Sequence, residues 1–560
     1  MKILCLLGVF LIVPYVYSLV SWRTDLVVSI SQGQVRGQNA TDGDYITFLG
    51  IPYAEVDKDS PFGEALPPRT FGNEIFNASY GLAVCPQASV LPMGRDTSPQ
   101  TLDCLNVNIF IPNKENSQGP YPVLVWIHGG VFALGSGTSV QPRKIVEKGI
   151  IVVTVNYRLG PYGFMCLDVP AVPGNQGLKD QYTAIRWVKN NIAAFGGDPD
   201  NITLGGQSAG SCSVLLQLFS SKEKLYHKII AQSGTPQSEG MFVNANVGAA
   251  RKLAEYIGFN TTDTNEALQF LARTPFPTVT AALSALDAEL KLRPCLERSF
   301  PGVNNFVEVD SFSVTNETKI RNTPILIGHT SKEEINSLPM RPTYNNGTDP
   351  VYEKIAKNYI LDSNVLKSVS KSVRHFYIGD KEIFEATSEL EDFESDFIFN
   401  HPTQRIVSKL LNDNANPVYQ YVFSYVGDSG MEGAAHGTEM RYLFDSIRFP
   451  ISPDGHDQVI SEYMASLWSN FIKYGNPTPN NSLSVTWIPV SQDTRPYLNI
   501  DLELQMENRV FQRRMAFWDL FNENYGTKNV LAQSPSRSSH LLDGSLGLMF
   551  ISFIIRLIIK

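Results

Sequence analysis

Gly206-Gln207-Ser208-Ala209-Gly210 sets a serine among small residues. Asn201 to Gly206 before it reads as a strand, and Ser211 to Phe219 after it as a helix. A sharp strand–turn–helix junction needs small neighbours because its backbone is strained. It exposes the serine Oγ beside a helix N-terminus, where developing negative charge is favoured. The five letters alone carry little, since a bare G-x-S-x-G arises in roughly one chain in five of this length at ordinary glycine usage. Its place at the junction is what marks Ser208 as a candidate nucleophile.

A serine hydroxyl needs a base within reach at neutral pH, and the base needs an orienting acceptor. Among eight histidines, His436 is the candidate base. It lies in Gly433-Ala434-Ala435-His436-Gly437-Thr438-Glu439, a loop of small residues that can bring an imidazole close. His329, His401 and His456 read as bystanders in polar loops, and His128 as structural. The acid comes from Ser331-Lys332-Glu333-Glu334, just past the strand-like Pro324 to Gly328. Adjacent side chains point apart, so one of Glu333 and Glu334 can face the histidine. The order serine, acid, histidine is that of the α/β-hydrolases. The amides of Gly130, Val131 and Ala209 are candidate donors to a tetrahedral oxyanion, where one donor is typically worth about 3 kcal/mol.

The elements that must hold these groups are short apolar runs between helical stretches. Val123 to Ile127, Ile150 to Val155, Ile202 to Leu204, Lys228 to Gln232, Pro324 to Gly328 and Val418 to Phe423 are apolar on both faces, as buried parallel strands are. Leu178 to Phe195 reads as a helix ended by Gly196-Gly197. The alternation predicts an α/β fold, a large, mostly parallel sheet with helices on both faces. Ser208 and Gly129 both fall just past strand ends, where such sheets bind ligands.

The N-terminus reads as an export signal over residues 1–18, with Lys2, an apolar stretch and a small-residue site at Ser18. A catalytic domain spans 19–530, a polar Ser-rich spacer 531–545 and a hydrophobic tail 546–560. The tail's apolar run, Leu546 to Ile559, would reach about 21 Å as a helix, short of a hydrocarbon layer of roughly 30 Å. The spacer and tail match the layout of a GPI-attachment signal, and a tail-anchored helix is the alternative. Arg556 counts against both. Sequons at Asn39, Asn77, Asn201, Asn260, Asn316, Asn346 and Asn480 fit a secretory route, with Asn201 set close to the sheet. Of five mature cysteines, Cys85 and Cys104 would close a loop of about twenty residues, worth about 3 kcal/mol. Cys166, Cys212 and Cys295 have no assigned partners. A net charge of −9 without a long basic cluster gives no reason to propose nucleic-acid binding.

From about Gln34 to Tyr525 the chain resembles the type B carboxylesterases, the cholinesterase-like branch of the α/β-hydrolases. The resemblance is carried by Cys85-Pro86-Gln87, Asp103 to Asn108, Trp126 to Phe132, Asn156-Tyr157-Arg158 and Pro173 to Gln181. It continues through the serine motif, Ala231 to Gly234, Asp396 with Phe399, the histidine loop and Gly475-Asn476-Pro477. It implies Ser208, Glu333 and His436 as a triad, a Cys85–Cys104 bridge, a small ester substrate, and neither metal nor organic cofactor. Glu333 stands five residues after Gly328, the family's spacing.

Departures narrow the substrate. Cholinesterases hold a quaternary ammonium on a tryptophan between the bridge cysteines. No tryptophan lies between Cys85 and Cys104, and the acidic residue before the serine is replaced by Gln207. Choline esters are therefore not expected. Gly-Gln-Ser-Ala-Gly occurs in juvenile hormone esterases, but their Arg-Phe pair is not evident near Arg69-Thr70-Phe71. Val131 replaces a smaller residue, and the second family disulfide is not evident. A neuroligin-like adhesion protein on the same fold is the rival reading. Such relatives typically lose a triad residue, and all three are present here.

Overall fold

The strand Tyr121–Ile127 sends Val123, Val125 and Ile127 into one apolar core and Leu124 and Trp126 into another. Side chains alternate along a strand, so a run apolar at every position must be covered on both faces. The computed structural model describes residues 26–526 except 81–82, 89–97, 114–118, 287–288, 311–312, 314–316, 336–348 and 446–454.

The described main sheet has eleven strands. They are β1 (Gln38–Asn39), β2 (Tyr45–Pro52), β3 (Asn106–Pro112), β4 (Tyr121–Ile127), β5 (Ile151–Val155), β6 (Gly197–Gln207), β7 (Lys228–Gln232), β8 (Ile325–Thr330), β9 (Val418–Phe423), β10 (Pro496–Ile500) and β11 (Gln505–Asn508). Their order is β11-β10-β9-β8-β7-β6-β4-β5-β3-β2-β1. Seven adjacent strands, from β10 to β5, run parallel, and the remaining four pair antiparallel at the two edges. This is the expected α/β-hydrolase sheet. All six strands expected from sequence lie in its parallel part. The antiparallel flanks, β1 to β3 and β11, were not anticipated.

The helices that matter for the site are α1 (Gln176–Asn191), α2 (Ala209–Phe219), α3 (His401–Asn412), α4 (His456–Tyr474) and α5 (Gln512–Tyr525). Leu178 and Val188 of α1, Leu215 of α2 and Leu410 of α3 join the first core. Trp468 and Phe471 of α4 join the second, which places helices on both faces. Trp518 and Phe521 of α5 belong to a third cluster. The helix expected over Leu178 to Phe195 is α1 followed by one 3₁₀ turn, stopped by Gly196 in the left-handed region, φ 82°.

Among the described residues no helix is long and apolar enough to cross a membrane. The 1–18 signal, the 531–545 spacer and the 546–560 tail lie outside the described residues, as do Asn316 and Asn346. Asn77, Asn260 and Asn480 are exposed, and Asn39 is half-buried. Asn201 is half-buried on β6, its amide donating to the Lys473 carbonyl and accepting from Lys228 Nζ.

Candidate active site

Strand β6 ends at Gln207 and α2 begins at Ala209, so Ser208 alone makes the turn. Its φ of 59° and ψ of −125° are disfavoured for a residue with a side chain. The junction closes because its neighbours lack side chains. A Cβ on Gly210 would lie 2.1 Å from the Ile127 carbonyl oxygen, and one on Gly234 would lie 2.3 Å from the Ser208 oxygen. The Ser208 amide donates to the Gln232 carbonyl at 2.8 Å, fixing the turn to β7.

Glu333 follows the end of β8 and is buried. One carboxylate oxygen accepts from the Thr330 amide at 2.8 Å, and the other faces His436 Nδ1 at 2.5 Å. Of the two sequence candidates, Glu333 is the one that faces the imidazole. Burial pushes its carboxyl up, but the charge and hydrogen bond of His436 outweigh that and hold it below the ordinary range. Burial likewise opposes charge on His436, and the Glu333 carboxylate more than offsets it, so the imidazole's pKa is raised. The histidine loop reaches this spot by docking on residues 331–334. The Lys332 amide donates to the Ala434 carbonyl, and a Cβ on Gly433 would lie 2.6 Å from that of Lys332. The Phe399 ring lies 4.8 Å from the imidazole, centroid to centroid.

On its other side His436 Nε2 is 3.2 Å from the side-chain nitrogen of Gln207, the residue before Ser208. Three segments far apart along the chain therefore meet at the carboxyl ends of β6 and β8. Gly130 at φ 109°, Val131 at 49° and Phe132 at 60° form a strained turn after β4. The Gly130 and Val131 amides have no acceptor among the described residues. The Ala209 amide opens α2, where no intrahelical carbonyl can satisfy it. The turn is pinned by His128, whose Nδ1 contacts the Gly129 carbonyl at 2.8 Å and whose ring stacks on Tyr157. Burial lowers the His128 pKa to about 4, against the weaker pull of the Gly129 carbonyl. Its buried ring packs as a structural residue, as expected.

The Carboxylesterase family model matches residues 24–518. The chain belongs to the carboxylesterase family. Juvenile hormone esterase of Heliothis virescens is 31% identical over 507 residues, covering 82% of this chain and 87% of that one. Human bile salt-activated lipase is 30% identical over 506 residues, covering 84% of this chain and 66% of the lipase. The crystal structure of juvenile hormone esterase from Manduca sexta, with OTFP covalently attached, superposes with a TM-score of 0.78 at 28% identity. It covers 89% of this chain and 100% of that one. The protein is a carboxylesterase acting on carboxylic ester bonds.

Two disulfides brace this carboxylesterase. Cys85–Cys104 is the implied bridge. Cys166 pairs with Cys295, which corrects the expectation that no second bridge was evident. Their sequence separation of 129 residues hides the pair, and only the fold brings the two Cα atoms to 6.7 Å. Cys212 is the buried odd thiol, and burial raises its pKa. His329 and His401 are not in polar loops. His329 lies fully buried on β8, and His401 opens α3 with Nε2 against Asp519 at 2.9 Å. His456 is exposed at the start of α4. Two neighbours of His436 had no recognised part in the sequence reading. Gln207 figured there as a missing charge and as a letter of the Gly-Gln-Ser-Ala-Gly motif, and Glu439 only as one letter of the histidine loop. Glu439 is fully buried, accepts from Gln232 at 3.1 Å, and is pushed up to about 7 by burial and by Glu333. Among the described residues no cluster of three or more His, Cys, Asp or Glu could hold a metal ion.

Proposed function

We propose that the chain is an exported carboxylesterase that works through a Ser208–His436–Glu333 triad and an acyl-enzyme. Ser208 Oγ attacks the ester carbonyl carbon while its proton passes to His436 Nε2. The carbonyl oxygen becomes an oxyanion held by the amides of Gly130, Val131 and Ala209. The tetrahedral centre collapses, the alkoxy group leaves, and His436 returns the proton to it as the free alcohol. Water repeats the sequence on the acyl-enzyme and releases the carboxylic acid. Glu333 holds the proton on Nδ1 and stabilises the imidazolium. The observation that carries this reading is the Glu333–His436 contact of 2.5 Å beside a strained serine turn.

Export rests on the 1–18 signal and on two disulfides, which persist in oxidising compartments. In this reading the tail 546–560 is a candidate membrane attachment, and Asn39, Asn77, Asn260, Asn316, Asn346 and Asn480 are the candidate glycan sites. A narrower second reading is hydrolysis of a juvenile-hormone-like ester, favoured by the two juvenile hormone esterase relatives. The test compares secreted wild type with Ser208→Ala on p-nitrophenyl acetate and butyrate. Wild type turns both over and the variant does not; equal rates would reject the triad. Juvenile hormone as a competitor, with a submicromolar or a negligible inhibition constant, decides the narrower reading.

A further inference from the structure

We infer that Gln207 is a resting-state latch on the general base, its carboxamide occupying His436 Nε2 until a bound ester displaces it. The inference rests on the proposed triad and adds a positioning residue to it. Glu333 as a carboxylate can only accept, so the proton of a neutral His436 sits on Nδ1 and Nε2 presents a lone pair. The partner at Nε2 must therefore donate, and the Gln207 amide nitrogen is 3.2 Å away. Ser208 Oγ has no hydrogen-bond partner among the described residues.

The Gln207 side chain reaches between the two glycine loops of the site. A Cβ on Gly129 would come within 3.3 Å of its Oε1, and one on Gly437 within 3.4 Å of its Nε2. Gly437 has φ 75°, so both space and backbone favour glycine there. A carboxamide N–H does not ionise at neutral pH, so this contact transfers no proton. Ser208 can hand its proton to Nε2 only after the amide has moved. An ester whose alcohol or acyl group fills the space above Ser208 pushes the carboxamide aside. Glutamate at this position could not act in the same way. It would accept from the imidazolium and hold it charged, beside the carboxylates of Glu333, Glu334 and Glu439 that already raise the imidazole's pKa.

The test follows inactivation by diisopropyl fluorophosphate, a small probe that forms a covalent bond with an activated serine. Wild type, Gln207→Met, Gln207→Glu and Ser208→Ala are compared across pH. The latch predicts that Gln207→Met reacts about fivefold faster than wild type, the weight of one neutral hydrogen bond. Its acid limb stays near that of wild type. Gln207→Glu moves the acid limb up by about one unit or more, as an added carboxylate beside an imidazolium requires. Gln207→Met reacting no faster than wild type, or Gln207→Glu leaving the limb in place, overturns the latch. Should wild type and Ser208→Ala be equally unlabelled, the triad reading itself falls and the latch falls with it.

Discussion

Replacing Glu333 with glutamine removes one charge and almost no volume, yet it reverses the hydrogen bonding of the base in the proposed triad. The carboxylate accepts twice, from the Thr330 amide at 2.8 Å and from His436 Nδ1 at 2.5 Å. A carboxamide can accept at one end only. Keeping the Thr330 bond turns its NH₂ toward Nδ1, which must then be the lone pair. The ring proton moves to Nε2, where, in the proposed mechanism, it blocks uptake of the Ser208 proton. Flipping the amide restores Nδ1–H but sets two buried donors against each other at Thr330, a cost of about 1–3 kcal/mol. The working tautomer is thus the disfavoured one, and the charge that stabilises the imidazolium is gone as well. The corresponding exchange in other serine triads lowers kcat by about 10⁴, or roughly 5.5 kcal/mol. For Glu333→Gln we expect a kcat loss of about 10³ to 10⁴ with little change in KM. Glu333 raises the His436 pKa, so its loss moves the acid limb of residual activity to lower pH. The assay is the kcat pH profile on p-nitrophenyl butyrate, with thermal melts to show intact folding. Glu334→Gln is the control and should stay close to wild type. A folded Glu333→Gln enzyme within tenfold of wild type would refute the reasoning.

Val131 is β-branched at φ 49° and 40% exposed, so Val131→Gly should relieve strain of about 1–3 kcal/mol against about 1 kcal/mol of glycine entropy. Urea denaturation should therefore find the variant as stable or more so, and a clear loss would show that the valine side chain stabilises the turn. His128 is held neutral with a pKa of about 4, below its ordinary 6.5, so the unfolded chain takes up that proton first as pH falls. Between pH 7 and 4.5, wild type should lose about 2–3 kcal/mol more than His128→Gln, read from denaturation midpoints at both pH values; parallel losses would contradict the burial argument. Peptide mapping should return Cys85–Cys104 and Cys166–Cys295 as linked pairs, with Cys212 alkylated only after unfolding. Ready alkylation of the native enzyme would place that thiol outside the core. Opening the 129-residue Cys166–Cys295 loop by Cys→Ala at both positions should cost about 4–5 kcal/mol in the chain-entropy picture.

Local patterns determined much of this protein by themselves. A strand buried on both faces is largely apolar, so the apolar runs inside β4 to β9 could be read directly. A turn too tight for side chains must be flanked by glycine and alanine, so Ser208 and His436 stood out as candidates through their neighbours. The edge strands β1 to β3 did not: β1 is only two residues long, and Thr47, Gly50, Asn106 and Asn108 interrupt the apolar runs of β2 and β3 although most of their residues are buried. His329 was misjudged for a related reason: Gly328-His329-Thr330-Ser331 reads as polar, yet β8 carries the first three of these residues through the core. The Cys166–Cys295 pairing and the Gln207–His436 contact belong to the tertiary structure alone, spanning 129 and 229 residues. A residue's type and near neighbours set its conformational preferences over a few positions, whereas such contacts arise only when the sheet order brings distant strand ends to one edge.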